Sequence, residues 1–136
     1  MSSSPAEVVR RFVTDVWNGE RPQTAYDVIG PGLPGLDGVG PTATLAWHAD
    51  RRSSFPDLVY EIGDVLVDGD QAAFRWEAAG TQGGVFGPVP ATGRQVQYSG
   101  ATFCRVVDGK VVDVWSVNDL FGLLQQLGVE VSPPSA

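Results

Sequence analysis

One cysteine, one histidine and one methionine occur in 136 residues, and these scarcities narrow the chemistry before any motif is read. A lone Cys104 allows no intrachain disulfide and no cysteine-built zinc site. On a strand it is expected to be a small buried hydrophobe rather than a nucleophile. With His48 as the sole imidazole, donors for a soft transition metal are too few, so no metal is expected. Positive charge is also sparse: nine Lys and Arg stand against sixteen Asp and Glu, a formal net charge of -7. The basic residues are scattered, and Arg51-Arg52 is a pair rather than a cluster, which argues against nucleic acid as a partner. No apolar run approaches the ~20 residues that span a bilayer, so no membrane association is expected. The first residues, MSSSPAEVVRRF, lack a basic stretch followed by an apolar one, and a cytoplasmic location is the expectation.

What is present describes a folded domain. Hydrophobic residues make up 43% and charged residues 18%, the balance of a chain that buries a core. The length suits one domain, expected over residues 1–130, with a flexible tail at 131–136. Ser4-Pro5-Ala6-Glu7 is a helix start, and Val8, Val9, Phe12, Val13, Val16 and Trp17 form one apolar stripe up to Asn18-Gly19. A short second helix is expected from Pro22 to Val28, and a third from Pro41 to about Ser54. Between them, residues 30–41 are so rich in Gly and Pro that they read as an ordered loop.

From Leu58 the period changes to two. Residues 58–67, 71–80, 94–106 and 110–118 read as four strands, with tight turns at Asp68-Gly69-Asp70 and Asp108-Gly109. A longer loop runs from Gly80 to Gly93. Helices first and hairpin-linked strands after indicate an α+β domain with a curved, largely antiparallel sheet packed on three helices. No internal repeat is visible.

The run from Gly109 to Gly128 joins a strand to a helix. Val111, Asp113, Trp115, Val117 and Asp119 lie two apart, which puts all five on one face of a regular strand. Leu120, Leu123, Leu124 and Leu127 then recur at helical spacing, and Gly128 is placed to end the helix. A carboxylate on an apolar face beside a Trp is costly unless it is paired, hydrated or used. Asp119 is therefore the first catalytic candidate, with helix capping as its simpler role.

Several marks occur in order along the chain: FPDL at 55–58, Asp68-Gly69-Asp70, Gly80-Thr81, Gly87-Pro88, Ala91-Thr92-Gly93-Arg94 and RVVDGK at 105–110. Trp115 with Asp119 and the GLLQQLG of 122–128 complete the set. Together they resemble the SnoaL-like polyketide cyclase family of the NTF2-like superfamily. The resemblance implies a cone-shaped fold with a deep apolar pocket, a hydrophobic small-molecule substrate, and an enzyme that closes polyketide rings by intramolecular aldol chemistry without a cofactor. It also implies Asp119 as general acid/base, and a homodimer paired through the open sheet face. Relatives of the same fold open epoxides, shift double bonds, or only bind ligands, so an epoxide hydrolase or epoxide-opening cyclase and a non-catalytic binding module stay open as alternatives. Two positions depart from the family pattern: Gln82 stands where His often follows the Gly-Thr pair, and Ile29-Gly30-Pro31 replaces polar residues after the second helix.

The remaining candidates follow from side-chain type and face. Trp115 would wall the pocket beside Asp119, while Asn118 reaches it only if a bulge or twist intervenes. Asp113 is expected at the solvated end of the sheet. His48, beside Trp47, is a proton shuttle if its ring faces inward. Arg75 and Glu77 alternate with Phe74 and Trp76. Facing inward, they would resemble the arginine and acid of limonene-type epoxide hydrolases, with Ser116 at the place of the final-strand acid. Facing outward, they form a solvated pair. Trp17, Tyr26, Phe55, Trp76, Tyr98 and Phe103 supply the aromatic surface that a flat or polycyclic ligand needs.

Overall fold

The computed structural model describes residues 3–135. The first helix, α1, spans Pro5–Arg11. It is capped as expected, with the Ser4 hydroxyl accepting from the Glu7 amide and Pro5 at the first helical position. It continues as a π-helical turn over Phe12–Trp17, closed by the Asn18 amide donating to the Val13 carbonyl at 2.9 Å. In an α-helix residues five apart point well away from each other; the wider turn brings Phe12 and Trp17 together, ring centroids 5.6 Å apart.

A 3₁₀ turn, Pro22–Thr24, leads into α2, Ala25–Val28. The loop expected at 30–41 contains a two-strand ladder, β1 (Pro34–Gly35) with β2 (Gly38–Val39). It is too short to leave a periodic signal. α3 spans Gly40–Ser54. Gly35 needs to be glycine, because a Cβ there would lie 2.4 Å from the Ala43 carbonyl carbon and oxygen. The ladder is thereby pressed against α3.

Four antiparallel strands follow in the order β3 (Val59–Asp68), β4 (Gln71–Thr81), β5 (Gln95–Val107) and β6 (Lys110–Asn118). The two tight turns stand where Asp68-Gly69-Asp70 and Asp108-Gly109 place them, and Asp108 and Gly109 both have positive φ. Asp57 pins the far end of β4 by accepting from the Thr81 amide and hydroxyl. The last helix, α4, spans Leu120–Gln126, and Gly128 follows it at φ +89. Residues 131–135 carry no regular structure and are exposed; Ala136 lies outside the described residues. No described helix is long and apolar enough to cross a membrane.

The helices cover one face of the sheet. Val8, Val9, Val13 and Val16 from the first helix meet Phe74, Ala78, Val96, Val106 and Val111 of the sheet, all buried. Cys104 is buried among them, and burial with the nearby Asp113 carboxylate pushes its thiol up to about 12, so no thiolate forms at neutral pH.

One irregularity decides what faces this core. Arg105 pairs with Asp113 but Val106 pairs with Val111, so Val112 is an extra residue, a β-bulge. Side chains alternate with period two, and one added residue reverses the faces beyond it. Val111 points into the core. Past the bulge, Val114, Ser116 and Asn118 face inward and Asp113, Trp115 and Val117 face outward. The regular-strand expectation for 111–119 is corrected at this point.

Candidate active site

A cavity of about 290 Å³ opens between α3 and the sheet. Four residues of α3 reach it, Thr44, Trp47, His48 and Arg51, at helical spacing i, i+3, i+4 and i+7. The first helix supplies Phe12 and Trp17; Leu33, Pro34 and Gly35 close one side. The sheet contributes Tyr60, Trp76, Tyr98, Val114, Ser116 and Asn118. No acidic side chain lines it.

Trp17 is the hub of the wall. Its ring meets Tyr60, Phe74 and Trp76 at centroid distances of 5.1, 5.8 and 5.9 Å, and His48 stacks on it at 5.9 Å with an interplanar angle of 28°. Trp76 in turn meets Tyr60 and Tyr98 edge-on. Its indole lies directly over Gly100, where a Cβ would come 2.3 Å from the ring. The indole N–H donates to Thr102 Oγ1 at 2.9 Å, and Thr102 Oγ1 lies 2.7 Å from Ser116 Oγ. Thr102 is fully buried, so this chain joins a core hydroxyl to one that lines the cavity.

Charge in the cavity is set by α3. Burial lowers the His48 pKa to about 3, helped by the Arg52 and Arg51 guanidiniums, so the imidazole is neutral throughout the physiological range. Burial raises the phenols of Tyr60 and Tyr98; for Tyr60 the neighbouring Tyr98 adds to the rise, and Arg51 opposes it for both. The two arginines are used differently. Arg52 donates to the Leu58 and Trp17 carbonyls, tying α3 to the end of the first helix. Arg51 lies against two aromatic faces, 5.0 Å from the Trp47 centroid and 5.1 Å from that of Phe86. No carboxylate or carbonyl pairs with it among the described residues.

Of the residues singled out from the sequence, His48, Trp17, Trp76, Tyr98, Ser116 and Asn118 meet in this cavity. The others stand elsewhere. Asp119 lies on the outer side of the sheet, exposed, and its carboxylate accepts from the Gly122 amide at 2.9 Å as the N-cap of α4. Arg75 and Glu77 also face outward, since the buried positions of β4 are Ala72, Phe74, Trp76 and Ala78. Phe103 and Trp115 pack edge-on against each other on that same face, 5.5 Å apart and both more than half exposed. Tyr26 is exposed, its hydroxyl 3.3 Å from Thr42 Oγ1. Phe55 is fully buried under Phe86, where it supports the ring that covers Arg51.

Sequence reading passed over Thr44, Arg51 and Tyr60. The signal for two of them was present: Thr44, His48 and Arg51 share one helix stripe, which an apolar-only pattern search skips. Among the described residues no group of three or more His, Cys, Asp or Glu gathers as a metal site.

Gln82, the departure from the family's His, has a structural role. Its Oε1 accepts from the Thr92 amide and hydroxyl, its amide nitrogen donates to the Val89 carbonyl at 3.3 Å, and it is fully buried. It staples the 83–93 loop rather than lining the cavity.

Comparison with known proteins places this geometry. The family model for SnoaL-like polyketide cyclases matches residues 7–127. No curated protein matches the chain. Among solved structures, IdmH of Streptomyces antibioticus, provisionally named a polyketide cyclase, is 27% identical with a TM-score of 0.79, covering 93% of this chain and 100% of its own. TsrD of Streptomyces laurentii is 25% identical with a TM-score of 0.80, covering 90% and 93%. AclR of Streptomyces galilaeus, provisionally named a hydroxylase, is 26% identical with a TM-score of 0.75, covering 91% and 95%. The fold is the NTF2-like α+β cone.

Proposed function

The chain belongs to the SnoaL-like polyketide cyclase family, and from that premise and the chemistry of its pocket we propose a cofactor-independent cyclase or isomerase. Its substrate would be a hydrophobic, ketone-bearing metabolite, and its reaction an intramolecular ring closure of aldol type. The observation that supports this reading is the stacked, neutral His48 in a largely aromatic cavity that also holds Arg51, two tyrosines and Ser116 and no carboxylate. A neutral imidazole has a lone pair free to take a proton from carbon beside a carbonyl. Arg51 and the hydroxyls of Tyr60, Tyr98 and Ser116 then face the enolate charge. His48 is a weak base in the empty pocket because of burial and two guanidiniums. The enolate formed beside it supplies the counter-charge, so its basicity rises as the proton moves.

An intramolecular closure needs folding of the substrate more than it needs strong groups, and well-oriented reactants account for roughly 7–11 kcal/mol of such barriers. Trp17, Trp76, Tyr60 and Tyr98 are the surfaces that would impose that shape. At about 290 Å³ the cavity sits at the lower end of ligand pockets, roughly 300–1,000 Å³. That favours a compact substrate core of one or two rings.

The epoxide-opening reading required Arg75 and Glu77 in the pocket, and their outward position gives it no support. A binding module without catalysis is the second reading, favoured by the outward Asp119 and countered by the open cavity. Deuterium uptake at the α-carbon of one- and two-ring ketones, followed by NMR in D₂O, separates the two. Catalysed exchange is expected; a protein that binds these ketones without accelerating exchange is a binding module.

The outer sheet face exposes Leu66, Phe103, Trp115 and Val117 together. We propose that it pairs two copies of the chain, since a monomer rarely leaves such a patch open to water.

A further inference from the structure

The acidic surface and the cavity carry opposite charge. Against a net charge of -7 for the chain, the cavity presents one cation, Arg51, and no carboxylate. Most guanidiniums near a protein interior are held by acids or carbonyls, as Arg52 is here. Arg51 is instead braced by Trp47 and Phe86, contacts that fix the planar group while leaving its N–H donors unused.

A second observation lies two helical turns away. Thr44 lines the same cavity, it is 5% exposed, and its Oγ1 is itself buried with no hydrogen-bond partner. A buried hydroxyl left unpaired costs about 1–3 kcal/mol, and in a helix it could have turned back to a carbonyl of the preceding turn. Seven residues separate Thr44 from Arg51, about 10 Å along the axis. His48 lies between them on the same stripe.

We propose that the substrate is an anion carrying a carboxylate that Arg51 binds, with a hydroxyl or carbonyl oxygen toward its other end that Thr44 engages by turning its hydroxyl to the cavity. Such a ligand satisfies both unused groups and lays its central carbons beside the His48 ring. The inference rests on the pocket being the substrate site, as proposed above, and extends it by naming the substrate class.

Calorimetry with the full-length protein and three probes tests it: 2-naphthoate, the neutral 2-naphthamide, and 6-hydroxy-2-naphthoate. The naphthoate should bind at least about tenfold tighter than the amide, the effect of one charge-assisted contact. Arg51→Met should erase that preference, weakening the acid far more than the amide, and Arg51→Lys should restore part of it. The added hydroxyl should tighten binding to the wild type and not to Thr44→Val. Circular dichroism of each variant guards against loss of fold. Equal affinity for acid and amide, an acid preference that survives Arg51→Met, or no binding of either at millimolar concentration overturns the proposal. An acid preference without catalysed exchange leaves it standing and removes the catalytic reading instead.

Discussion

His48 stacks on Trp17 with ring centroids 5.9 Å apart and planes inclined by 28°, and the contact holds a titratable ring in a site that rejects its charged form. The unfolded imidazole titrates at 6.5 and the folded one at about 3. Above pH 6.5 the ring is neutral in both states and contributes no pH dependence. As pH falls from 6.5 toward 3 the unfolded chain binds a proton that the folded chain does not, so stability is lost at up to about 1.4 kcal/mol per pH unit. Chemical denaturation at pH 7, 6 and 5 should show this slope in the wild type and not in His48→Gln, so that the difference between the two proteins isolates it.

Gly100 gives Trp76 its seat. A Cβ there would meet the indole at 2.3 Å and the Val117 carbonyl at 2.6 Å, and backbone cannot yield as a flexible side chain does. Gly100→Ala should cost about 1–3 kcal/mol and change the near-ultraviolet circular dichroism, because Trp76 must tilt away from Thr102. A neutral effect on both would mean that the indole has room the structure does not give it.

Gln82 should behave as a staple. Gln82→Met keeps the volume but strips the Thr92 amide and hydroxyl of their acceptor and leaves the Val89 carbonyl with the Phe86 amide alone. Unfolding in urea should show a loss of about 1–3 kcal/mol. Exchange activity measured well below the transition should persist, since the side chain does not line the cavity.

The outer face should govern assembly. Trp115→Glu places a charge beside Phe103 in the middle of the exposed apolar patch. Light scattering after size exclusion should read a dimer for the wild type and a monomer for the variant. A wild-type monomer at micromolar concentration would contradict the pairing.

Element types were legible in the sequence wherever the period was long: α3 and the four long strands stand within a residue or two of their expected ends. The tight turns were legible too, since Asp108-Gly109 has one low-energy hairpin conformation. Three features were not. The β1–β2 ladder is two residues long, below what periodicity detects. The π turn looks like α-helix because the apolar stripe of Phe12–Trp17 suits both. The Val112 bulge leaves no mark in a run of three residues, Val111, Val112 and Asp113, that accepts either register, yet it determines which half of β6 faces the pocket. His48, Trp17, Trp76 and Tyr98 reached the cavity through burial patterns that sequence does carry; Ser116 and Asn118 entered it, and Asp119 and Trp115 did not, because their faces depended on that one residue.

The central claim is that proton transfer belongs to the cavity and not to the carboxylate on the sheet's outer side. Wild-type protein, His48→Gln and Asp119→Asn should be compared for deuterium exchange into the same ketone. The expected result is a loss of at least about 100-fold for His48→Gln and an unchanged rate for Asp119→Asn, which keeps the cap and loses only its charge at the helix start, about 0.3–1 kcal/mol of stability. Exchange that survives His48→Gln but collapses in Asp119→Asn would contradict the account.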